Sequence, residues 1–361
     1  MKRIKWLPLL VFAALALSPR QASAQATCSA TGTVCITPGP DADAFAAGVG
    51  MTTAQLTQQL VGQVDNLFQT ANLSSFLHDF QNAQSFSTKG LGVDYASEAT
   101  LAEVGATLAF ASGVDKAYKP SGYADPPVKG GGASFSLMGG LGLGVFGFDP
   151  LMIFGNWFKG SSSFGQLDGK YQNWGLHGQL RLLGPSRKMS AVKMLVRWGG
   201  IAITSGADYS HLSLSKSTSI SSSMNVIPGA PVTVTSSGSM LFTVDQTTWS
   251  VPLEVTTSLR LLSLVTVYGG LGMDWQLGGG SSMKIAMDAN LTGKYAGSSY
   301  GNLGTASINA NGHVNPSPAR LREIVGVQLG ILDMIRFFVQ VNVSDGSPVL
   351  TSVAGGLRLA I

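Results

Sequence analysis

Charge is scarce in this chain. Asp, Glu, Lys and Arg make up 12% of its 361 residues, about half the share of an ordinary soluble domain. Long apolar runs are scarce as well: past the first two dozen residues, the longest candidate, Leu141 to Phe158, is broken by Asp149-Pro150. A membrane-spanning helix needs ~20 apolar residues, so helical spans are excluded. Cysteine is limited to Cys28 and Cys35. With no His or further Cys beside them they do not make a zinc site. The Gly-rich run GGLGLG (139–144) is not followed by Gly-Lys-Ser/Thr, so no phosphate loop is present and no cofactor is expected. A basic surface is lacking too. Four of the 23 basic residues (Lys2, Arg3, Lys5, Arg20) fall in the first 24, which leaves 19 against 19 acidic. The sequence pI of about 9.0 therefore owes itself to that segment, and a nucleic-acid partner is not expected.

What the chain does have begins with an export signal at 1–24: the basic start, an apolar core from Leu7 to Leu17, and the small-residue site Ala22-Ser23-Ala24. In an exported chain Cys28 and Cys35 predict a disulfide closing a short loop. Residues 25–50 are small and polar, with Pro38 and Pro40. From Thr52 apolar residues recur at three- and four-residue spacing (Leu56, Leu60, Val64, Leu67, Phe68), then again at Phe76, Leu77 and Phe80 after Asn72-Leu73-Ser74. That predicts one broken amphipathic helix or two short ones. The segment 25–88 therefore reads as a leader whose helix either plugs a barrel mouth or docks on the periplasmic side.

From 89 to 361 the period is two. Ile335, Phe337, Val339, Val341 and Val343 alternate with Arg336, Phe338, Gln340, Asn342 and Ser344, and 324–331 and 349–361 alternate likewise. Successive strand residues face opposite sides, so each segment has one apolar and one mixed face. Strands of ~10 residues, short turns and a chain ending on an amphipathic strand predict an all-β membrane protein, an antiparallel transmembrane β-barrel of about 12–14 strands with a short helical N-terminal extension. Candidate strands start at 90–98 and 100–112; 232–244 and 247–261 read as separate strands, as do 264–277 and 283–295. Leu262-Ser263 and Leu332-Asp333 read as periplasmic turns. The polar connectors 149–170, 216–231, and 278–282 with 296–302 read as outer loops. Arg187, Lys188, Lys193 and Arg197 read as a solvated basic connector. Trp157, Phe158, Tyr171, Trp174, Trp198, Tyr209, Trp249, Tyr268 and Trp275 read as an aromatic girdle.

The closing stretch REIVGVQLGILDMIRFFVQVNVSDGSPVLTSVAGGLRL and the strand LVTVYGGLGMDW (264–275) are similar to the strands of poorly characterised Gram-negative outer-membrane barrels. More distantly, the helical segment ahead of a barrel resembles the plan of FadL-like barrels. The Asn-Pro-Ala plug signature of that family is absent, so hydrophobic-substrate transport is not carried over. The resemblance implies residence in a Gram-negative outer membrane. Its lipids and the barrel assembly machinery would be partners.

A charge facing lipid at mid-depth costs about 2–4 kcal/mol for Arg, which drives the charged alternation inward. That assigns Glu254, Arg260, Asp274, Gln276, Gln328, Arg336, Gln340, Asn342 and Arg358 to the lumen, with His177, Gln179 and Arg181. The leading expectation is a channel or passive transporter, or a binding barrel, for a small or lipid-like solute. The alternative is a structural or surface-interaction barrel that presents Ser/Thr-rich loops such as Ser215–Ser223. A third reading, a lipid-modifying hydrolase, rests on His211 and Ser213. They project from one strand face, as a base beside a hydroxyl would, and resemble the His-x-Ser of outer-membrane phospholipase A, but no Asn-Gly-Arg follows. The expectation is of no enzyme.

Overall fold

The computed structural model describes residues 26–70, 73–96, 100–114, 130–184, 195–226, 231–262, 264–331, 334–346 and 348–361. The export signal, the basic residues Arg187, Lys188 and Lys193, and the turn Leu332-Asp333 lie outside the described residues. The chain divides into two compact units. The larger holds 65–220, 239–287 and 309–361, and the smaller holds the chain up to 64 together with 221–238 and 288–308.

The larger unit is a closed antiparallel barrel. Its wall runs β9 (Val265–Tyr295), β11 (Ala319–Ile331), β12 (Ile335–Ser344), β13 (Val349–Ala360), β3 (Ala102–Val114), β4 (Gly131–Gly142), β5 (Leu151–Phe164), β6 (Leu167–Leu183), β7 (Val196–Asn225) and β8 (Val232–Leu261). β8 pairs back with β9, so ten strands close the ring within a sheet of thirteen. The last strand locks onto the first, with Leu357 opposite Ala106 and Val353 opposite Phe110. Closure leaves no edge, so the wall's backbone donors and acceptors find partners without water.

The polarity of the wall is the reverse of a soluble barrel's. On β12, Phe337 and Val339 are 46% and 57% exposed while Arg336, Gln340 and Asn342 are buried. Val104, Leu108, Phe110, Leu253, Val255, Leu271, Val325, Val327, Val353 and Leu357 continue the exposed apolar face around the ring. An apolar surface of that extent, wrapped round a polar interior, is stable in lipid and not in water. The fold is an antiparallel transmembrane β-barrel. Ala102 and Ala360 share one end with Leu262, Leu264, Ile331 and Met334. There Leu264 N donates to Leu261 O at 3.1 Å and Leu101 N to Ile361 O at 2.8 Å. We refer to this as the turn end and to the other as the loop end.

The strand spans differ from the sequence pattern where loops are expected. Residues 216–225 belong to β7, and 278–282 run unbroken through β9. Neither stretch contains a Pro, and the strands continue through them even across Gly278-Gly279-Gly280, where Gly279 takes a φ of +105°. The stretch 90–98 forms no strand: within it, residues 90–96 are turns and irregular chain. Tyr268 also departs from the girdle, pointing inward, 2% exposed, with its ring 6.1 Å from that of Tyr95. Trp157, Trp174 and Tyr209 do share one level of the outer wall, paired across β5, β6 and β7. The Trp249 ring on β8 packs against the last two at 5.1 and 4.8 Å.

Inside the ring lies the chain that precedes it. Helix α3 (Leu73–Ser87) occupies the loop-end half of the lumen, and from Gln81 to Tyr95 and Ala96 every residue is buried. Its apolar side (Leu77, Phe80) meets Val244 and Met283, with Leu214, Phe242 and Val314 around them. Its polar side meets the wall through hydrogen bonds. Gln84 Nε2 donates to Ala133 O at 3.1 Å, Ala133 N donates back to Gln84 Oε1 at 3.1 Å, and Ser87 Oγ meets Ser134 Oγ at 2.6 Å. The helix ends by turning its own hydroxyls onto its last carbonyls, Ser87 Oγ to Gln84 O and Thr88 Oγ1 to Ser85 O, both 2.7 Å. A turn follows the helix, with Gly90 at a φ of +76°. Close approach to the wall depends on Gly132: a Cβ there would lie 2.5 Å from Gln84 Cα.

The smaller unit has the ordinary partition. Its β1 (Thr27–Cys28) and β2 (Val34–Pro38) form a hairpin with Cys28 opposite Cys35, joined as a disulfide. β2 pairs with β10 (Ser298–Val314), Cys35 opposite Ser307. Helices α1 (Ala42–Gly48) and α2 (Thr53–Thr70) contribute Phe45, Leu56, Leu60 and Val61 to a buried core that includes Val34, Ile36, Val226, Val234, Leu291 and Leu303. Among the described residues, none of the exposed large apolar side chains belongs to this unit. It is built for water, the larger one for lipid.

Gly132→Val forces α3 off the wall and costs about 1–3 kcal/mol. Thermal unfolding of the refolded barrel should show the loss. Gly178→Val, where a Cβ meets nothing within 4 Å, should leave the midpoint unchanged.

Candidate functional site in the barrel lumen

The turn-end half of the lumen is charged. As the chain leaves α3 it presents Lys89 and Asp94, both buried, to the inner wall. Asp94 lies between two arginines: Arg358 Nη1 donates to Oδ1 at 2.8 Å and Arg336 Nη1 to Oδ2 at 3.3 Å. Arg358 also donates to Val93 O at 2.7 Å and to Gln328 Oε1 at 3.1 Å, and its guanidinium sits 3.9 Å from the centre of the Phe338 ring. Arg336 lies 3.8 Å from the Glu103 carboxylate. Lys89 donates to Ser250 Oγ and lies 3.7 Å from Asp208, which is itself 3.1 Å from His177 Nε2.

A second centre lies wholly in the wall. Arg322 donates through Nε to Asp274 at 2.9 Å, through Nη2 to Glu254, and through Nη1 to Asn342 Oδ1 at 3.2 Å. Asn342 passes the bond on to Ser352 Oγ at 2.9 Å and accepts one from Gln340 Nε2 at 3.0 Å. Each ion is bound by at least one partner of opposite charge, which is the condition for keeping charges out of water at all. Backbone contacts complete the packing: Thr107 Oγ1 donates to Leu91 O at 3.1 Å, Gln179 Nε2 to Asp94 O at 3.1 Å, and Ser258 Oγ to Ala96 O at 3.3 Å. These hydrogen bonds and ion pairs hold the chain from Lys89 to Ala96 against the inner face of the wall.

Residues 21–360 match one protein family over nearly the whole length. The chain belongs to the Lsa36-like family. No curated protein matches this Lsa36-like chain. Among solved structures it is similar to the translocator domain of the autotransporter NalP from Neisseria meningitidis, at 12% identity, covering 77% of this chain and 93% of that one, TM-score 0.31. It is similar also to the toluene transporter TbuX of Ralstonia pickettii, at 8% identity, 79% and 95% coverage, TM-score 0.25. A third is the attachment invasion locus protein Ail of Yersinia pestis, at 12% identity, 72% and 97% coverage, TM-score 0.24. The barrel assignment stands on the Lsa36-like chain's own strand pairing and inverted polarity.

Of the residues the alternation assigns to the lumen, His177, Glu254, Asp274, Gln328, Arg336, Gln340 and Arg358 are each at most 6% exposed inside the ring. Arg260 lines a small cleft at the turn end with Ala96, Thr266, Gln328 and Arg336. Arg181 is half-buried on the same face of β6 as His177 and Gln179. Arg322, Glu103 and Asp208 join this set. Parity within the strand places Arg322, even-numbered like Gln328 on β11, whereas Glu103 and Asp208 lie on β3 and β7, which carry no residue assigned to the lumen, and only the register against β13 and β6 puts them on the inner face. Lys89 and Asp94 carry no such signal, because a strand pattern was read where irregular chain fills the lumen. His211 and Ser213 share the outward face of Tyr209. His211 Nδ1 lies 3.2 Å from Thr247 Oγ1 and Nε2 3.9 Å from Asp245.

Asp94→Asn leaves Arg358 buried without its nearest counter-charge, a loss of about 3–5 kcal/mol for a broken buried pair. Chemical unfolding of the folded barrel should report it. Combining Asp94→Asn with Arg358→Met should recover part of the loss, since no unpaired guanidinium then remains.

Proposed function

We propose that this protein is a sealed outer-membrane barrel whose work is done at its surface, with the lumen serving to hold its own N-terminal chain. The observation that carries this reading is the unbroken burial of residues 81–96 inside the ring. A ten-stranded wall encloses little more than its own side chains, since about eight strands leave an interior just wide enough for side chains to fill. Here a helix and a threaded segment take that space, and four ion-paired cations hold them or the wall around them. The partition of the two units supports the same reading: one turns its apolar residues outward and the other buries them, and strands β7 to β10 contribute residues to both. Outer-membrane lipid and the assembly machinery would be its partners, following cleavage of the export signal in a Gram-negative cell.

A second reading, gated passage of a small polar solute, is favoured by unbonded oxygens along the wall. Both carboxylate oxygens of Glu103, Oδ1 of Asp274 and Oε1 of Gln276 are buried and accept no hydrogen bond, although Glu103 keeps its ion pair with Arg336. These atoms would suit water or a donor-rich solute.

Planar-bilayer recording of the refolded chain separates the two. The sealed reading expects no conductance steps from the wild-type barrel. It expects steps from the double variant Lys89→Met, Asp94→Leu, whose plug has lost both ionic anchors. Regular steps from the wild type would sink it in favour of passage.

A further inference from the structure

We propose that the barrel delivers its own N-terminal segment to the outer surface, so that the chain preceding Leu73 lies on the extracellular side of the membrane. The direction of the threaded chain carries this. Partners of successive residues descend the wall in order. Gln84 meets Ala133 and Ser134, near the start of β4 at the loop end. Leu91 meets Thr107, midway along β3. Val93 and Asp94 meet Arg358, close to the C-terminal end of β13. Asp94 also meets Arg336, the second residue of β12, and Ala96 meets Ser258, near the end of β8. Leu101 then bonds Ile361 at the rim. The segment thus enters at the loop end and leaves at the turn end, where it becomes the first strand of the wall.

The consequence is topological. In barrels of this type short turns face the periplasm and longer loops face outward. A chain whose first wall strand starts at the turn end would ordinarily leave its N-terminal extension in the periplasm. Here the extension has to reach the far side through the lumen, because the ring is closed by β8–β9 and β13–β3 pairing and offers no lateral gap. The interior is suited to the passage. The wall beside the thread is polar, and glycine stands where the thread is closest: a Cβ at Gly92 would lie 2.7 Å from Asn156 Oδ1, and one at Gly90 2.8 Å from Gln340 Nε2. The ionic contacts of Lys89 and Asp94 would arrest the chain once the extension is out. The inference is independent of whether the stoppered lumen conducts.

The test is epitope accessibility on intact cells. Tags are inserted singly at Gly50 and at Gly165, two exposed turn glycines where a Cβ meets nothing within 4 Å, and after Ile361. Gly165 closes the β5–β6 hairpin at the loop end and reports that side directly. The expected result is antibody binding to the Gly50 and Gly165 tags on intact cells, with the Ile361 tag detected only after permeabilisation. A Gly50 tag that stays hidden on intact cells while Gly165 is reached would overturn the proposal. So would exposure of the Ile361 tag, which would reverse the whole barrel. A second N-terminal tag ahead of Thr27 guards against an insertion that blocks assembly, and heat-modifiable migration of each tagged chain confirms that the barrel has closed. Conductance plays no part in these outcomes, so a conducting barrel with an exposed Gly50 tag would sink the sealed reading alone.

Discussion

Asp94 sits between Arg336 and Arg358, and the occupied lumen depends on that bridge. Neither guanidinium could be buried alone, since desolvating an isolated ion costs several kcal/mol even after relaxation. Neither could face lipid. The wall therefore carries cations that need a counter-charge, and the threaded chain brings one. Lys89 and Asp208 make the converse pair, with the cation on the thread and the acid on the wall. Oppositely charged anchors on one short segment fix both its depth and its register against the strands.

The buried ions nearly balance. Among the described residues Lys89, Arg322, Arg336 and Arg358 face Asp94, Glu103, Asp208, Glu254 and Asp274, with His177 beside Asp208. Such pairs add little net stability compared with apolar packing of the same volume, but they discriminate strongly against wrong arrangements. In a lipid-facing barrel apolar packing is also less decisive, because the outer face has no water to escape. A polar, charge-matched interior is then the means of making one arrangement of the plug better than its neighbours.

The two units solve opposite solvent problems with one chain. Around the ring the apolar residues point out. In the smaller unit Phe45, Leu56, Leu60 and their neighbours point in. The long strands β7, β8 and β9 serve both, so a single strand changes its partition along its length. Nothing in local composition announces the change: Ser, Thr and Gly run through it. That is why the stretches 216–225 and 278–282 look like loops on paper yet are strand. An uncharged Ser-rich run is compatible with either, and the neighbouring strands decide.

The barrel itself was legible in the sequence, because alternation is a local property: period two, tight turns and low charge are enough to require a wall with a polar inside, and parity then places Glu254, Asp274, Arg336 and Arg358 without any knowledge of their partners. Arg322 follows from the same parity; Glu103 and Asp208 need the register of β3 and β7 against their neighbours. What fills the wall was not legible. Residues 89–96 have no period that marks chain threaded through a pore, and Lys89 and Asp94 have meaning only beside Asp208, Arg336 and Arg358, which are more than a hundred residues away. Strand number in the ring, the joining of short segments into long strands, and the direction of the thread were likewise set by pairing between distant segments. Alternation depends on each residue and its two neighbours. A counter-ion depends on where the rest of the chain has gone.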